Sequence, residues 1–546
     1  MMTKLSNIIK RLVVSLLLFK YCILLVQCNW SYYNCSLYIR PLEDNVLLSP
    51  STNNNGSDSS FNCGDTLENP CLTISSGYKE CQKQYKMYQF NINFTMEEGI
   101  YYITDSDIFT LYSRDLIFSG QLSVVFDFSN ITRNWVDGYF GVSLRIKGIS
   151  FRNLSQLFYY GMSRNNRLHI SNCVFEDNRN PLIYIEDNLN YPPYNDPYIV
   201  IEDSVFQNNV WLDASPNPPH EQSLINLRYN DITITNCTFT NNNGFESMVR
   251  AQNGAVLSMN QSRFFNNTIK SHFGLISLGN QSYKKNRFND CDFIGNGVYN
   301  NNTEPKSIFS LNSSILEVAN SNFVNNSVSI VTLNDQDCSI TISNSSFIGN
   351  TQSPLIRSFL NNNIGVYQKS VLTITDSIFE NNTISYIGTI FQLDHTTFQF
   401  QNSNVTMNDG GIFNMFSSTV YLSDVSIMYN NYDALMNCTD SYITVTTPLQ
   451  IAPEYNMIRC SECSISYIDT STLNNFLCPV VHPNTPYASN TNSTGKGTIS
   501  AIVIAIFVFV SIVIGSIIFY IKRKRLRYIQ QNSINTPLLF KQIIPK

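Results

Sequence analysis

Five histidines are the first side chains to weigh for acid–base or metal chemistry: His169, His220, His272, His395 and His482. They are scattered, with no zinc-ligand spacing and no Ser-His-Asp order. An Arg-Ile-Lys stretch, Arg145 to Lys147, offers two cations, but no aspartate cluster precedes it, and it reads as coincidence. Asp203, Asp290, Asp376 and Asp424 recur at matching places in the chain. They share those places with Asn and Gly, so a backbone role at a bend explains them better than catalysis. The best ligand candidate is the loop from Ile183 to Val200, with Tyr184, Tyr191 and Tyr194 beside Glu186, Asp187 and Asp196. Aromatic faces with carboxylates suit sugars, and carboxylates alone suit calcium. The bland alternative is a solvated loop. No catalytic residue, cofactor site or metal site is assigned from sequence.

Cysteines and sequons speak about compartment. Cys35, Cys63, Cys71 and Cys81 gather early, and Cys438, Cys460, Cys463 and Cys478 gather late. Both groups read as disulfides of an oxidising compartment, with the pairing left open. Cys173, Cys237 and Cys291 occupy one recurring position and read as buried free thiols, whereas Cys338 is left either paired or free. Asn-x-Ser/Thr sequons stand at Asn29, Asn34, Asn55, Asn93, Asn130, Asn153, Asn260, Asn266, Asn280, Asn301, Asn312, Asn325, Asn381, Asn404, Asn437 and Asn492. Two more, Asn236 and Asn344, belong to the bend position and are expected to be poor acceptors if their amides join an inward ladder.

The two ends predict a single-pass type I topology. Residues 1–28 read as a cleaved secretory signal, with Lys4, Lys10 and Arg11 before an apolar run. Residues 499–520 carry no charge and are long enough to span a bilayer as a helix. Lys522, Arg523, Lys524, Arg525 and Arg527 follow and hold residues 521–546 in the cytoplasm. Residues 479–498, rich in Pro, Asn, Ser and Thr, read as a stalk. The expected location is the plasma membrane or an endomembrane, with residues 29–478 extracellular or lumenal. A net charge of −5 with 14% charged residues excludes a nucleic-acid face, and 13% aromatic residues exclude a disordered chain.

What must position any site is a repeat. Phe151, Phe175, Phe206, Phe239, Phe264, Phe293, Phe323, Phe347 and Phe379 mark it, continued by Val405 and Ile427. Five residues earlier every repeat is apolar, as at Ile170, Ile201 and Ile234. Three earlier stands Gly, Asn or Asp, residues that tolerate a left-handed backbone, with Gln261 the poor fit. Three later stands Asn in every repeat but the first, as at Asn178, Asn242 and Asn350. Alternation of period two reads as a strand, a sharp bend, a second short strand, an asparagine turn and a variable loop. Stacking such units at ~4.8 Å puts like on like: apolar columns inside, asparagine ladders at the turns.

The stretches "ITITNCTFTNN", "LTITDSIFENN" and "SITISNSSFIGN" resemble the coils of pectin-lyase-like right-handed parallel β-helices, above all the Asn-rich coils of large eukaryotic surface proteins and polymorphic outer-membrane proteins. The resemblance covers roughly residues 63–480. It implies an all-β solenoid, with 29–81 as a Cys-rich segment and amphipathic cap, 82–440 as the β-helix and 441–478 as Cys-rich closing coils. Enzymes of that superfamily set clustered acidic residues beside a basic one on adjacent coils, and some carry an "RIK"; here the acidic cluster is missing from the sequence. Three functions follow in order of preference: a non-enzymatic surface protein for adhesion, recognition or display; a membrane-tethered polysaccharide lyase or glycoside hydrolase; a glycan-binding module without turnover. The expected partners are the membrane and either extracellular glycans or surface proteins.

Overall fold

The computed structural model describes most of residues 33–40, 71–84 and 90–467, with 480–481. Residues 1–32, 41–70, 187–198, 212–221, 301–305, 359–368, 468–479 and 482–546, and shorter pieces of other loops, lie outside the description. The segments expected as signal, transmembrane helix and tail are therefore outside it, and so is the expected stalk except Val480–Val481, which corrects its start because these two residues pair in parallel with Ile465 and Ser466 of the solenoid. No helix among the described residues is long and apolar enough to cross a membrane.

Residues 33–481 belong to one compact unit, and it is a parallel β-solenoid. Every strand pairing in it is parallel, and each pairing joins one coil to the next. Ile170, Ile201, Ile234 and Met259 lie in direct register across four coils, as do Phe175, Phe206, Phe239 and Phe264. The described strands form a bent sheet of 29 strands, a flat sheet of 14 and a small sheet of three. Parallel crossovers of this kind are right-handed.

The bend between the two legs of the bent sheet is left-handed in each repeat: Asn172, Asp203, Asn236, Asp290, Asn320 and Asn344 all have φ between 46° and 54°. Gln261 joins them at φ 50°. Its amide still donates to the Asn289 carbonyl of the next coil at 3.0 Å, so the ladder overrides the residue's own preference.

Inside, one ring per coil stacks face to face from Phe151 to Phe379. Successive centroids lie 4.3–5.0 Å apart and the planes differ by at most 9°. A strand spacing close to ~4.8 Å sets that distance, so the parallel stack follows from register.

The asparagine three residues past each Phe is fully enclosed. Asn242 Nδ2 donates to Asn267 Oδ1 at 2.9 Å and to the Phe206 carbonyl at 2.9 Å, and the Asn242 backbone amide donates to the same Oδ1 at 3.1 Å. The pattern repeats through Asn267, Asn296, Asn326, Asn350, Asn382, Asn408 and Asn430. Each side chain satisfies turn groups that no strand partner reaches, which is why Asn holds the position in every repeat but the first, where Leu154 stands and its backbone amide donates to Asn178 Oδ1 at 2.7 Å.

The inward ladder is thus this column and not the bend column. Bend-column amides also form a ladder, Asn236 Nδ2 to Asp203 Oδ1 at 2.7 Å and Asn344 Nδ2 to Asn320 Oδ1 at 2.6 Å, but on the exposed surface. The expectation that Asn236 and Asn344 turn inward is corrected.

Two further corrections concern extent. The variable loop contains a strand of its own in coil after coil, and these strands make the flat sheet: Ser223–Arg228, Ser247–Gln252, Ile276–Gly279, Ser307–Asn312, Ser329–Leu333 and their successors. A bulge opens several of them; the amides of Met248 and Val249 both donate to the Leu275 carbonyl, at 2.8 and 3.2 Å, as those of Ile330 and Val331 do to Leu355 and those of Ile412 and Phe413 to Leu435. The solenoid also begins earlier than residue 63, because Tyr33–Ile39 pairs along its whole length with Phe90–Met96. The expected amphipathic cap is helix α1, Ile74–Gln84, tied to that strand by the Cys35–Cys81 disulfide. Gly77 packs against it: a Cβ there would stand 3.0–3.2 Å from Ile39, Phe94 and Leu37. A second disulfide, Cys438–Cys463, ties closing coils together. Cys71 and Cys460 are disulfide-bonded as well, while Cys63 and Cys478 lie outside the described residues.

Candidate recognition face

One cluster of charged and titratable residues lies on the outer face of the bent sheet near its N-terminal end. The strands Asp115–Asp127, Ser143–Arg152, Arg167–Ser171 and Ile199–Glu202 lie side by side there. Register puts Asp115, Ser143 and Arg167 in one row, Arg145 and His169 in the next, and Lys147, Ser171 and Glu202 in a third. Alternation sends all of them outward, because Leu144, Ile146, Leu168 and Ile170 between them fill the core. Arg145 and Lys147 are exposed. His169 Nε2 lies 2.8 Å from Glu202 Oε1. Asp115 is pushed above its ordinary pKa by burial, against the opposing pull of Arg145 and Arg167. The next strand pair along the same coils continues the charge pairing, with Arg152 bonded to Glu176.

Three permanent cations, Arg145, Lys147 and Arg167, thus face two carboxylates. The carboxylates are far apart. Three strand spacings and four residues of strand rise separate Asp115 from Glu202, roughly 19 Å. Acid–base pairs that cleave glycosides stand roughly 5–9.5 Å apart. This face can bind an anion or a polyhydroxylated chain, but Asp115 and Glu202 do not form a cleaving pair.

The candidate residues read from the sequence fall in several places. His169 points outward as expected, and the Arg-Ile-Lys stretch lies on the same face, with Arg145 and Lys147 exposed. His395 sits at a left-handed bend with φ 48° and Nδ1 2.6 Å from Asp394 Oδ1. His220, His272 and His482 lie outside the described residues. Of the tyrosine loop, Tyr184 is half-buried in the strand Ile183–Glu186, in register with Tyr159 and Asn226. Glu186 closes that strand, while Asp187, Tyr191, Tyr194 and Asp196 lie outside the described residues. Asp203, Asp290, Asp376 and Asp424 all occupy left-handed bends, the backbone role expected of them.

The outer face of the flat sheet is a second file of polar groups, but it is largely closed. Arg250 is buried, 3.5 Å from Glu246 and 4.3 Å over the Phe273 ring. Ser277 and Ser310 are buried, and Asn334 Nδ2 donates to Ser310 Oγ at 2.7 Å.

Neither cysteine group makes a metal site. The sulfurs of Cys438, Cys460 and Cys463 lie within 4.8 Å of one another. All three are committed to disulfides and offer no thiolate. Cys173, Cys237 and Cys291 are buried free thiols, and burial pushes them up to about 12, about 12 and about 11. Cys338 is buried too, with its Sγ 3.7 Å from the Leu311 carbonyl, and stands in a separate small-residue column with Ser314, Thr396 and Ser418.

No protein-family model and no curated protein matches the sequence. Solved structures do match. A tailspike protein mutant of E. coli bacteriophage HK620 in complex with pentasaccharide is 14% identical, covering 69% of each chain, with a TM-score of 0.33. The catalytic domain of a GH87 alpha-1,3-glucanase in complex with nigerose is 11% identical over 72% of this chain and 67% of that chain, with a TM-score of 0.31. The chain is a right-handed parallel β-solenoid. The likeness to these proteins extends to the course of the chain and no further.

Proposed function

We propose that the solenoid is a non-catalytic recognition element that binds an anionic glycan across its N-terminal charged face. The observation that carries this is the convergence of Arg145, Lys147, Arg167 and His169 on an exposed sheet, with Asp115 and Glu202 roughly 19 Å apart by strand geometry. Guanidinium groups on a rigid sheet engage carboxylate or sulfate groups in a fixed geometry. Neighbouring cations repel one another until an anion lies between them. A flat face with a strand spacing of ~4.8 Å also matches an extended polymer better than a small molecule.

The reading places this face outside the cell or in an endomembrane lumen. Supporting it are the disulfides at both ends of the solenoid, the uncharged segment 499–520 and the basic cluster after it. Residues 482–498 then serve as the stalk and the protein is a single-pass type I glycoprotein.

A glycan array probed with the full-length protein tests the proposal, run beside a polyuronate degradation assay. Binding to uronic-acid or sulfated polymers is expected, falling at least tenfold in Arg145→Ala/Lys147→Ala and weakening with salt. Unchanged binding in that variant overturns the assignment of the face. Polymer turnover that disappears in Glu202→Gln or Asp115→Asn overturns the non-catalytic reading.

A further inference from the structure

Two residues past each stacked Phe, the chain turns through a left-handed position that faces solvent. In five successive coils this position reads Asn266, Gly295, Asn325, Gly349 and Asn381, with φ from 52° to 66°. Backbone bonds fix the column: Asn266 donates to the Ile294 carbonyl, Gly295 to Val324, Asn325 to Ile348 and Gly349 to Glu380, all at 2.9–3.0 Å. The backbone does not demand glycine here, because Asn208, Asn241 and Asn266 take the same φ in three consecutive coils. Space does. A Cβ on Gly295 would stand 2.5 Å from Asn266 Oδ1, and one on Gly349 would meet Asn325 Oδ1 as closely. Asn266 and Asn325 therefore each rest across a glycine of the next coil.

All three asparagines open a sequon: Asn266-Asn267-Thr268, Asn325-Asn326-Ser327 and Asn381-Asn382-Thr383. The middle residue is in each case a rung of the buried ladder, so its neighbour is locked outward. Asn266, Asn325 and Asn381 are exposed. By contrast, the sequon amides of Asn236 and Asn344 are engaged with Asp203 and Asn320.

A second feature coincides with the first. One residue before this column the outward side chains are Arg152, Glu176, Gln207 and Thr240 in the early coils, and Glu380 and Thr406 later. Between them, in four adjacent coils, they are Phe265, Ile294, Val324 and Ile348. Phe265 is 44% exposed. An exposed apolar ridge on this sheet face invites self-association, and it runs along the coils of the alternating Asn/Gly column.

We propose that Asn266, Asn325 and Asn381 carry N-glycans, in a row two coils or ~9.6 Å apart, and that the first two cover the ridge from Phe265 to Ile348. Gly295 and Gly349 leave room for the glycan stems on Asn266 and Asn325. The amide nitrogen of asparagine receives the oligosaccharide from a lipid-linked donor, so one C–N bond forms as the sugar–phosphate bond breaks. The inference rests on the lumenal placement of the solenoid but not on its glycan-binding role.

The test uses the full chain produced in glycosylating eukaryotic cells. Peptide mass spectrometry after enzymatic deglycosylation in ¹⁸O-water reads occupancy site by site. High occupancy is expected at Asn266, Asn325 and Asn381. Occupancy at Asn404, an exposed sequon off this column, combined with empty Asn266 and Asn325 overturns the inference while leaving the topology standing. An absence of glycan at every sequon overturns both. Cover is read separately, as binding of an apolar dye and as self-association. Both are expected to rise several-fold in Thr268→Ala/Ser327→Ala and to return to the starting level when Phe265→Ser and Ile348→Thr are added. Enzymatic deglycosylation of the folded wild type supplies the same reading if the double variant is not exported. No rise in either experiment overturns the covering role.

Discussion

Asn296→Ala removes one rung from the middle of the buried asparagine ladder. In the wild type, Asn296 Oδ1 accepts from the Asn267 backbone amide and from Asn267 Nδ2, each at 3.1 Å. Its own Nδ2 donates to the Phe264 carbonyl and to Asn326 Oδ1, each at 3.0 Å. Some of these losses are cushioned. Asn267 Nδ2 keeps the Phe239 carbonyl at 2.8 Å, and Asn326 Oδ1 keeps the Asn296 backbone amide at 3.0 Å. The Asn267 backbone N–H loses this acceptor in a site where Asn267 itself is fully buried. An orphaned buried donor costs about 1–3 kcal/mol, and the void left by the amide adds to it, so the loss is about 2–4 kcal/mol. Asn344→Gly is the control: glycine already holds this left-handed column at Gly148, so the change removes a ladder bond of similar length on the exposed surface without backbone strain and costs within about 1 kcal/mol. Stacked repeats can open locally, so hydrogen exchange of the folded protein is the assay. Amides around residues 264–296 are expected to exchange at least ~30-fold faster in Asn296→Ala, with little change around residues 320–344 in Asn344→Gly. Equal effects of the two substitutions would refute the claim that the inward column holds the turns.

The free thiols give a second prediction. Cys237→Ser is expected to change stability by less than about 1 kcal/mol. Its column already alternates with serine, and Ser204 Oγ accepts from the Cys173 amide just as Ser262 Oγ accepts from that of Cys237, at 3.1 and 3.2 Å. In the wild type, Cys173, Cys237 and Cys291 resist alkylation at mildly alkaline pH, because burial holds them protonated; rapid labelling of the folded protein contradicts this. Glu317 supplies the pH-dependent case. The Lys285 hydrogen bond, then that of Arg287, hold its carboxyl below the ordinary value. Its small stabilising contribution is therefore present above the ordinary carboxylate range and lost as pH falls through the lowered pKa. Glu317→Gln should flatten the acid limb of a melting-temperature-versus-pH curve and leave the neutral limb unchanged; an identical acid limb argues against the pairing.

The bent sheet was legible because its strands keep a constant distance from the phenylalanine: every column, including the left-handed bend and the small Ser/Cys position, can be aligned from it. The flat sheet was not, because loops of differing length precede it and its phase drifts. A signal exists all the same. "SLINL", "SMVRA", "SIFSL" and "SIVTL" repeat a small residue, two apolar residues, a polar or small one and an apolar one, the pattern of a bulged strand. Tyr33–Ile39 escaped notice because it has neither the asparagine nor the phenylalanine columns, and only pairing with Phe90–Met96 reveals it. The charged face was hidden for a different reason. Arg145, His169 and Glu202 are 24 and 33 residues apart, and only coil lengths fixed by the structure bring them into neighbouring rows. The tyrosine loop remains a sequence expectation, with Tyr184 placed on the flat sheet and most of the others outside the described residues.

Vertical stacking in register is the claim on which everything else depends, and spin-label distances measure it directly. Thr233 leads a single outward column that passes through Ser258, Arg287, Glu317, Thr341, Thr373, Gln399 and Tyr421. One label at residue 233 and a second at 341, 373, 399 or 421 should give separations near ~19, ~24, ~29 and ~34 Å, one strand spacing added per coil. The unequal numbers of residues between the labels should leave no trace. Distances that scatter, or that grow with sequence separation and not with coil count, would contradict the solenoid.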